Sequence, residues 1–207
     1  MINLYNEDCL QAMRRMDTDQ YELAIVDPPY GISGGINDNR KTVNKSKKNS
    51  MRNYGFIKWD KKPTKEYFEQ LKRVSKNQII FGGNYFIDCL ESTRCFIVWD
   101  KMTYIPSMSR CELAWTSFNK NTAYVKVNSN QTNRIHINQK PVALYTWILN
   151  NYAKEGDKIL DTHLGSGSIA IACHDMGFSL DGYELDKTYF ELATKRLQEH
   201  QRQLKLF

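Results

Sequence analysis

Leu23-Ala24-Ile25-Val26-Asp27-Pro28-Pro29-Tyr30 is the stretch on which the fold turns. Its first four residues form an unbroken apolar run, the pattern of a strand buried on both faces of a parallel sheet. The prolines end that strand, since proline brings no N–H to a ladder and fixes its own φ. What remains is a rigid turn with a carboxylate, prolyl carbonyls and an aromatic face at its tip. Such a set of groups suits holding a planar base by its exocyclic amine. Asp-Pro-Pro can also be a plain rigid turn; the strand before it and the aromatic after it favour a working role.

A second strand-to-turn junction reads Ile159-Leu160-Asp161-Thr162-His163-Leu164-Gly165-Ser166-Gly167-Ser168. Gly165 and Gly167 let the backbone approach a ligand and turn sharply into a helix N-terminus. With Ala170 they satisfy the dinucleotide spacing Gly-x-Gly-x-x-Gly/Ala. Glu184 ends the next strand about twenty residues on, where a carboxylate can bind ribose hydroxyls. Spacing therefore leaves a nicotinamide dinucleotide open. Asp161, ahead of the glycines, suits a cationic ligand better than a pyrophosphate. S-adenosylmethionine, with its sulfonium and ammonium, has that character.

Outward from these junctions, strands are expected at 2–5, 21–26, 78–81, 95–99, 111–115, 157–161 and 179–184. Helices are expected at 8–16, after Thr64, at 85–90, at 141–152, at 167–176 and from Lys187 onward. Strands alternating with helices give an α/β fold with a doubly wound, mostly parallel sheet. In such sheets ligands bind beyond the carboxyl ends of strands. Asp27-Pro28-Pro29-Tyr30, the glycine turn and Glu184 all sit at such ends and share one edge.

Length and composition fit one domain over residues 1–207, with 41% hydrophobic residues to supply a core. The net charge of +6 is unevenly spread. Residues 31–65 hold ten Lys or Arg against Asp38 and Asp60, so the remaining chain is net acidic. Residues 31–62 read as a long basic loop without period. Directly after the Asp-Pro-Pro-Tyr turn, it suits phosphate contact through Arg40, Lys41, Lys45, Lys47, Lys48 and Arg52. A solvated surface loop is the plainer alternative. Trp59 lies in that loop and is the best candidate for stacking on a nucleotide, whereas Trp99 and Trp115 read more readily as core. Residues 119–135 are polar and asparagine-rich and read as a second exposed stretch.

The five cysteines form no Cys-x-x-Cys pair and the four histidines show no metal-ligand spacing. Reduced thiols, a cytoplasmic location and no metal are the expectation. The start of the sequence lacks the pattern of a secretion signal. No run approaches the ~18 apolar residues of a membrane span.

Asp27-Pro28-Pro29-Tyr30 resembles the catalytic motif of amino-directed DNA methyltransferases. Asp161 to Ser168, including Leu164 and Ser166, is similar to their cofactor motif. Gln139-Lys140-Pro141 resembles the segment that packs on the methionine part of the cofactor. Asn6-Glu7-Asp8-Cys9-Leu10 resembles an element whose Asp contacts the adenine, and Gly182-Tyr183-Glu184-Leu185-Asp186 the ribose-binding segment. The motif order, catalytic first and cofactor last, is that of the permuted β class, and shorter matches are similar to small phage-type members. The resemblance implies a Rossmann-like methyltransferase sheet of seven strands, one antiparallel. It also implies S-adenosylmethionine as cofactor, double-stranded DNA as partner, and a bacterial or phage-encoded enzyme of DNA methylation or restriction-modification. Asp at the first motif position implies the N6 amine of adenine as acceptor.

Cytosine N4, an RNA adenine, a protein glutamine amide and a non-catalytic nucleic-acid-binding module are the alternatives. Thr162 and His163 depart from the family's usual Pro-Phe; His163 either alters cofactor packing or is a surface substitution. Lys140 by itself reads as a solvated residue at a helix start. Residues 101–135 are short for a target-recognition region, so recognition is expected from them, from 31–62, or from the second subunit of a homodimer.

Overall fold

The computed structural model describes residues 1–32, 61–103, 109–130, 134–136 and 138–203. The chain order is β1 (Ile2–Tyr5), α1 (Cys9–Arg15), β2 (Tyr21–Val26), α2 (Lys65–Val74), β3 (Ser75–Phe81), β4 (Phe96–Asp100), β5 (Cys111–Thr116), β6 (Ala123–Lys126), α3 (Val142–Tyr152), β7 (Lys158–Asp161), α4 (Ser168–Met176), β8 (Ser179–Tyr183) and α5 (Lys187–Arg202). A short 3-10 turn spans Gly83–Tyr85.

The apolar run of β2 is central for the reason its sequence suggests. It pairs in parallel with β3 on one side and β7 on the other. Its side chains alternate between two cores. Leu23 and Ile25 pack in the core that includes Leu144 and Ile148 of α3 and Ile169 of α4. Ala24 and Val26 pack with Met13 of α1 and Tyr67, Phe68 and Leu71 of α2. Helices therefore cover both faces of the sheet, as a buried parallel sheet requires.

Among the described residues the sheet has eight strands, in the order β1-β8-β7-β2-β3-β5-β4-β6. Only β5 runs against the rest, antiparallel to both β3 and β4. The chain leaves β2 towards β3 and leaves β7 towards β8, in opposite directions across the sheet. The winding thus reverses between β2 and β7, which places a crevice at their carboxyl ends.

Two expectations need correction. The eighth strand, β6, falls within the stretch 119–135 read as exposed and polar. It pairs in parallel with β4 at the sheet edge, and Val125 is its only buried residue, too few inward positions to show a period. The expected helix at 85–90 is instead the 3-10 turn, with Tyr85 and Phe86 donating their backbone N–H to the Gly82 and Gly83 carbonyls. Gly82 at φ +66° makes that tight reversal possible. Within residues 101–135, β5 and β6 are strands of the sheet. Trp99 and Trp115 are core residues whose indole N–H groups donate to the Val127 and Glu91 carbonyls. All five thiols are free, Cys95 and Cys173 buried and the other three half-buried.

Candidate active site

A cleft of about 1120 Å³ opens at the carboxyl ends of β2, β7 and β8. Asp27, Pro28, Pro29 and Tyr30 line one part of it, and Leu164, Gly165, Ser166, Glu184 and Asp186 line another. Asp8, Cys9 and Lys140 also reach it. Three expected site residues do not. Asp161, Gly167 and Ser168 lie behind the wall, buried. Gly167 at φ +69° lets the chain pass close to α5, where an added Cβ would sit 3.2 Å from that of Ala193. Ser168 is held by the Ser166 hydroxyl and by the Arg196 guanidinium. Arg40, Lys41, Lys45, Lys47, Lys48, Arg52 and Trp59 lie outside the described residues. Lys61 and Lys62 line the cleft.

At the catalytic-motif end, Tyr30 Oη donates to Asp27 Oδ1 at 2.7 Å. Burial, reinforced by the Asp27 and Glu112 charges, holds the Tyr30 hydroxyl far above its usual range, so it stays a donor. The Tyr30 ring stacks on Tyr85 with centroids 4.9 Å apart and meets the edge of Phe86. Asp27 Oδ2 accepts from the Lys140 ammonium, 113 residues away in sequence. The solvated reading of Lys140 is therefore wrong: it is 4% exposed and also lies 3.4 Å from Glu112. Its ammonium sits over the Phe81 ring. Burial alone would lower its proton affinity, but the Asp27 and Glu112 carboxylates overcome that and raise it.

At the glycine-turn end, the Glu184 carboxylate accepts the backbone N–H groups of Gly165 and Asp186, both at 2.9 Å. Asp8 caps α1 by accepting the Gln11 N–H, and Asp186 caps α5 by accepting that of Tyr189. Burial pushes the Cys9 thiol up to about 12, so it is an inert wall residue.

His163 is not a surface substitution. It lines the cleft, and its Nδ1 lies 2.9 Å from Thr162 Oγ1, which in turn is 2.6 Å from the Tyr67 hydroxyl. Burial pushes His163 down to about 4, leaving the ring neutral. Sequence reasoning missed Tyr67, which its helical spacing marks only as core. It also missed His136, whose ring lies 3.8 Å from a Cβ built on Gly165.

The charge balance tests whether a cationic cofactor fits. Asp161 is pushed up to about 8, first by burial and then by the neighbouring Asp27 and Glu184 charges. Glu184 is raised by burial as well. Carboxylates thus crowd the wall, and the one buried ammonium among the described residues, Lys140, is already paired. A sulfonium and an ammonium would relieve that repulsion, so the residues present fit S-adenosylmethionine. No group of described His, Cys, Asp and Glu residues could hold a metal ion. No helix of the described residues is long and apolar enough to cross a membrane.

The family model described as DNA methylase, for the N6 and N4 enzymes, matches residues 45–195. The chain belongs to this family. The match begins beyond Asp27-Pro28-Pro29-Tyr30, so that motif rests on its own geometry. Among curated DNA methylases, the type II methyltransferase M.HpaI of Haemophilus parainfluenzae is 37% identical over 68 residues, 33% of this chain. M2.DpnII of Streptococcus pneumoniae is 38% identical over 63 residues, 30% of this chain. These matches span only 22% and 24% of those relatives' own lengths. M.HinfI of Haemophilus influenzae is 20% identical across 93% of this chain and 67% of its own. The fold is that of the M1.HpyAVI–SAM complex, at TM-score 0.63 and 19% identity, covering 95% of this chain and 100% of that one. It is equally that of the cytosine-N4-specific PvuII DNA methyltransferase, at TM-score 0.64 and 10% identity, with coverages of 96% and 90%.

Proposed function

We propose that the chain is a site-specific DNA methyltransferase using S-adenosylmethionine and acting on the exocyclic N6 amine of adenine in double-stranded DNA. The observation that carries this reading is that Asp27-Pro28-Pro29-Tyr30 and the Gly165–Glu184 turn line one cleft. The cofactor, when bound, supplies an activated methyl group on a sulfonium.

The rest is the work of the chain's own residues. An exocyclic amine shares its lone pair with the ring and is a poor nucleophile. The Asp27 carboxylate and the Pro28 carbonyl can accept its two N–H bonds, leaving the lone pair free to point at the methyl. Acceptors fixed in place act where positive charge develops on the nitrogen. A base inside a duplex is out of reach, so the target nucleotide leaves the stack at a cost of a few kcal/mol. Stacking on Tyr30 offsets that by ~1–3 kcal/mol. Tyr85 fixes the Tyr30 ring from one side. Asp8 and Glu184 line the other end of the cleft, and their resemblance to the family's motifs supports assigning them the cofactor adenine and ribose. Lys61 and Lys62 at the same cleft add positive charge for the DNA backbone.

Long-read sequencing of DNA from cells expressing the chain tests the proposal by reporting modified base and sequence context together. N6-methyladenine at a fixed motif is the expected result. Methylation at cytosine N4 would overturn the choice of base, and unmodified DNA the activity itself.

A further inference from the structure

Asp27 has no idle oxygen in this arrangement. Oδ1 accepts from Tyr30 and Oδ2 from Lys140. An incoming amine must displace at least one of these donors to take up its place, and displacing Lys140 would strand a buried ammonium. Stranding a buried charge is among the costliest changes a site can make. The structure offers that ammonium somewhere else to go. Glu112, on β5, also approaches Lys140, and its Oε2 lies 3.4 Å from Nζ. That oxygen is buried and accepts no hydrogen bond among the described residues. The other oxygen, Oε1, is engaged by Lys101 at 2.7 Å. Lys101 itself packs against the Trp99 ring. Glu112 is thus anchored through one oxygen and presents the other to Lys140 at ion-pair range.

We infer that Glu112 is a positioning residue that provides the second seat for the Lys140 ammonium, releasing Asp27 Oδ2 when a substrate amine arrives. This rests on the proposed methyl transfer for its purpose, though the contact itself does not. In the resting chain Lys140 covers Asp27. On base capture the ammonium shifts towards Glu112, gains the hydrogen bond that Oε2 lacks, and remains paired throughout. The Phe81 ring lies under Nζ, with its centroid 4.5 Å away, and adds cation–π attraction for the ammonium. Tyr145 and His136 also feel these charges, but Tyr145 is held protonated by burial and His136 is held low by burial, so neither supplies a competing anion.

The test compares wild type with Glu112→Gln and Glu112→Asp, each checked by thermal melting and by S-adenosylmethionine binding. Without the second seat, only the fraction of molecules with Asp27 uncovered can capture a base, and apparent affinity falls by that fraction. Binding is measured on the duplex identified by the sequencing experiment. The expected result is about a tenfold rise in Kd and KM for that duplex, with kcat at saturating DNA preserved. In a Lys140→Met background the Glu112→Gln effect on Kd should vanish, because Glu112 acts only through Lys140. Separately, the Lys140 15Nζ resonance of the free chain should move when Glu112 becomes Gln. A fall in kcat with KM unchanged, or an equal Glu112 effect without Lys140, would overturn the inference. So would an unmoved resonance. If wild type leaves DNA unmodified, the proposed function fails, while the resonance comparison still decides whether Glu112 holds the ammonium.

Discussion

Glu184 Oε2 accepts the Gly165 N–H at 2.9 Å while Oε1 accepts that of Asp186 at the same distance. One carboxylate therefore binds the glycine turn after β7 to the end of β8 and fixes the wall at which a nucleoside would sit. Glu184→Gln leaves a single acceptor oxygen for two donors. A half-buried N–H is then orphaned, at a cost of about 1–3 kcal/mol. Denaturant melts should show that loss. S-adenosylmethionine affinity, read by calorimetry, should fall about tenfold or more.

Asp27→Ala removes the acceptor for the amine but leaves the Glu184 wall untouched. Methyl transfer should be abolished and S-adenosylmethionine binding nearly retained, as measured by methylation assay and calorimetry. Because Lys140 keeps Glu112 as a partner, stability should fall by less than the ~3 kcal/mol of a fully broken buried pair. Loss of cofactor binding in this variant would count against the role given to Asp27.

Gly82 reaches the site through Tyr30. A Cβ at position 82 would lie 2.2 Å from Tyr30 Cε1, on a backbone already at φ +66°. Gly82→Ala should push the Tyr30 ring away from Asp27 and forfeit its stacking on the base. With ~1–3 kcal/mol at stake, kcat/KM on DNA should drop by about ten- to a hundredfold. S-adenosylmethionine binding, at the far end of the cleft, should hold.

Two neighbouring residues predict opposing pH effects on stability. His163 drops from 6.5 to about 4 on folding, so its contribution is lost as pH falls from 6.5 towards 4. Asp161 rises from 3.8 to about 8, so its contribution is present at low pH and lost as pH climbs towards 8. Melting profiles should therefore diverge: His163→Phe removes the loss on going from pH 6.5 to about 4, and Asp161→Asn removes the loss on going from 3.8 to about 8. Parallel profiles for the two variants would refute the assignment.

The parts of this molecule written into local sequence were the easiest to read. Leu23 to Val26 is apolar on both faces, and the prolines after it stop the strand, so β2 and its turn follow from four-residue chemistry. The glycine turn and Glu184 carry their own spacing in the same way. β6 was illegible because Val125 is its only inward residue and its stability comes from pairing with Ile97–Asp100. Lys140 looked solvated because neither of its partners is near it in sequence. Asp27 is 113 residues away, and Glu112 lies on β5, far from the start of α3 in the sequence. The Tyr67, Thr162 and His163 chain escaped for the same reason, since Tyr67 stands 95 residues from Thr162.

Gly31 and Lys62 stand side by side: a Cβ on Gly31 would come within 3.1 Å of the Lys62 Cβ. The chain thus leaves the cleft rim and rejoins it at almost the same point. The end of the Asp27–Tyr30 turn and the approach to α2 are thus pinned against each other at the cleft mouth, and any side chain at position 31, on a backbone at φ +71°, would pry them apart.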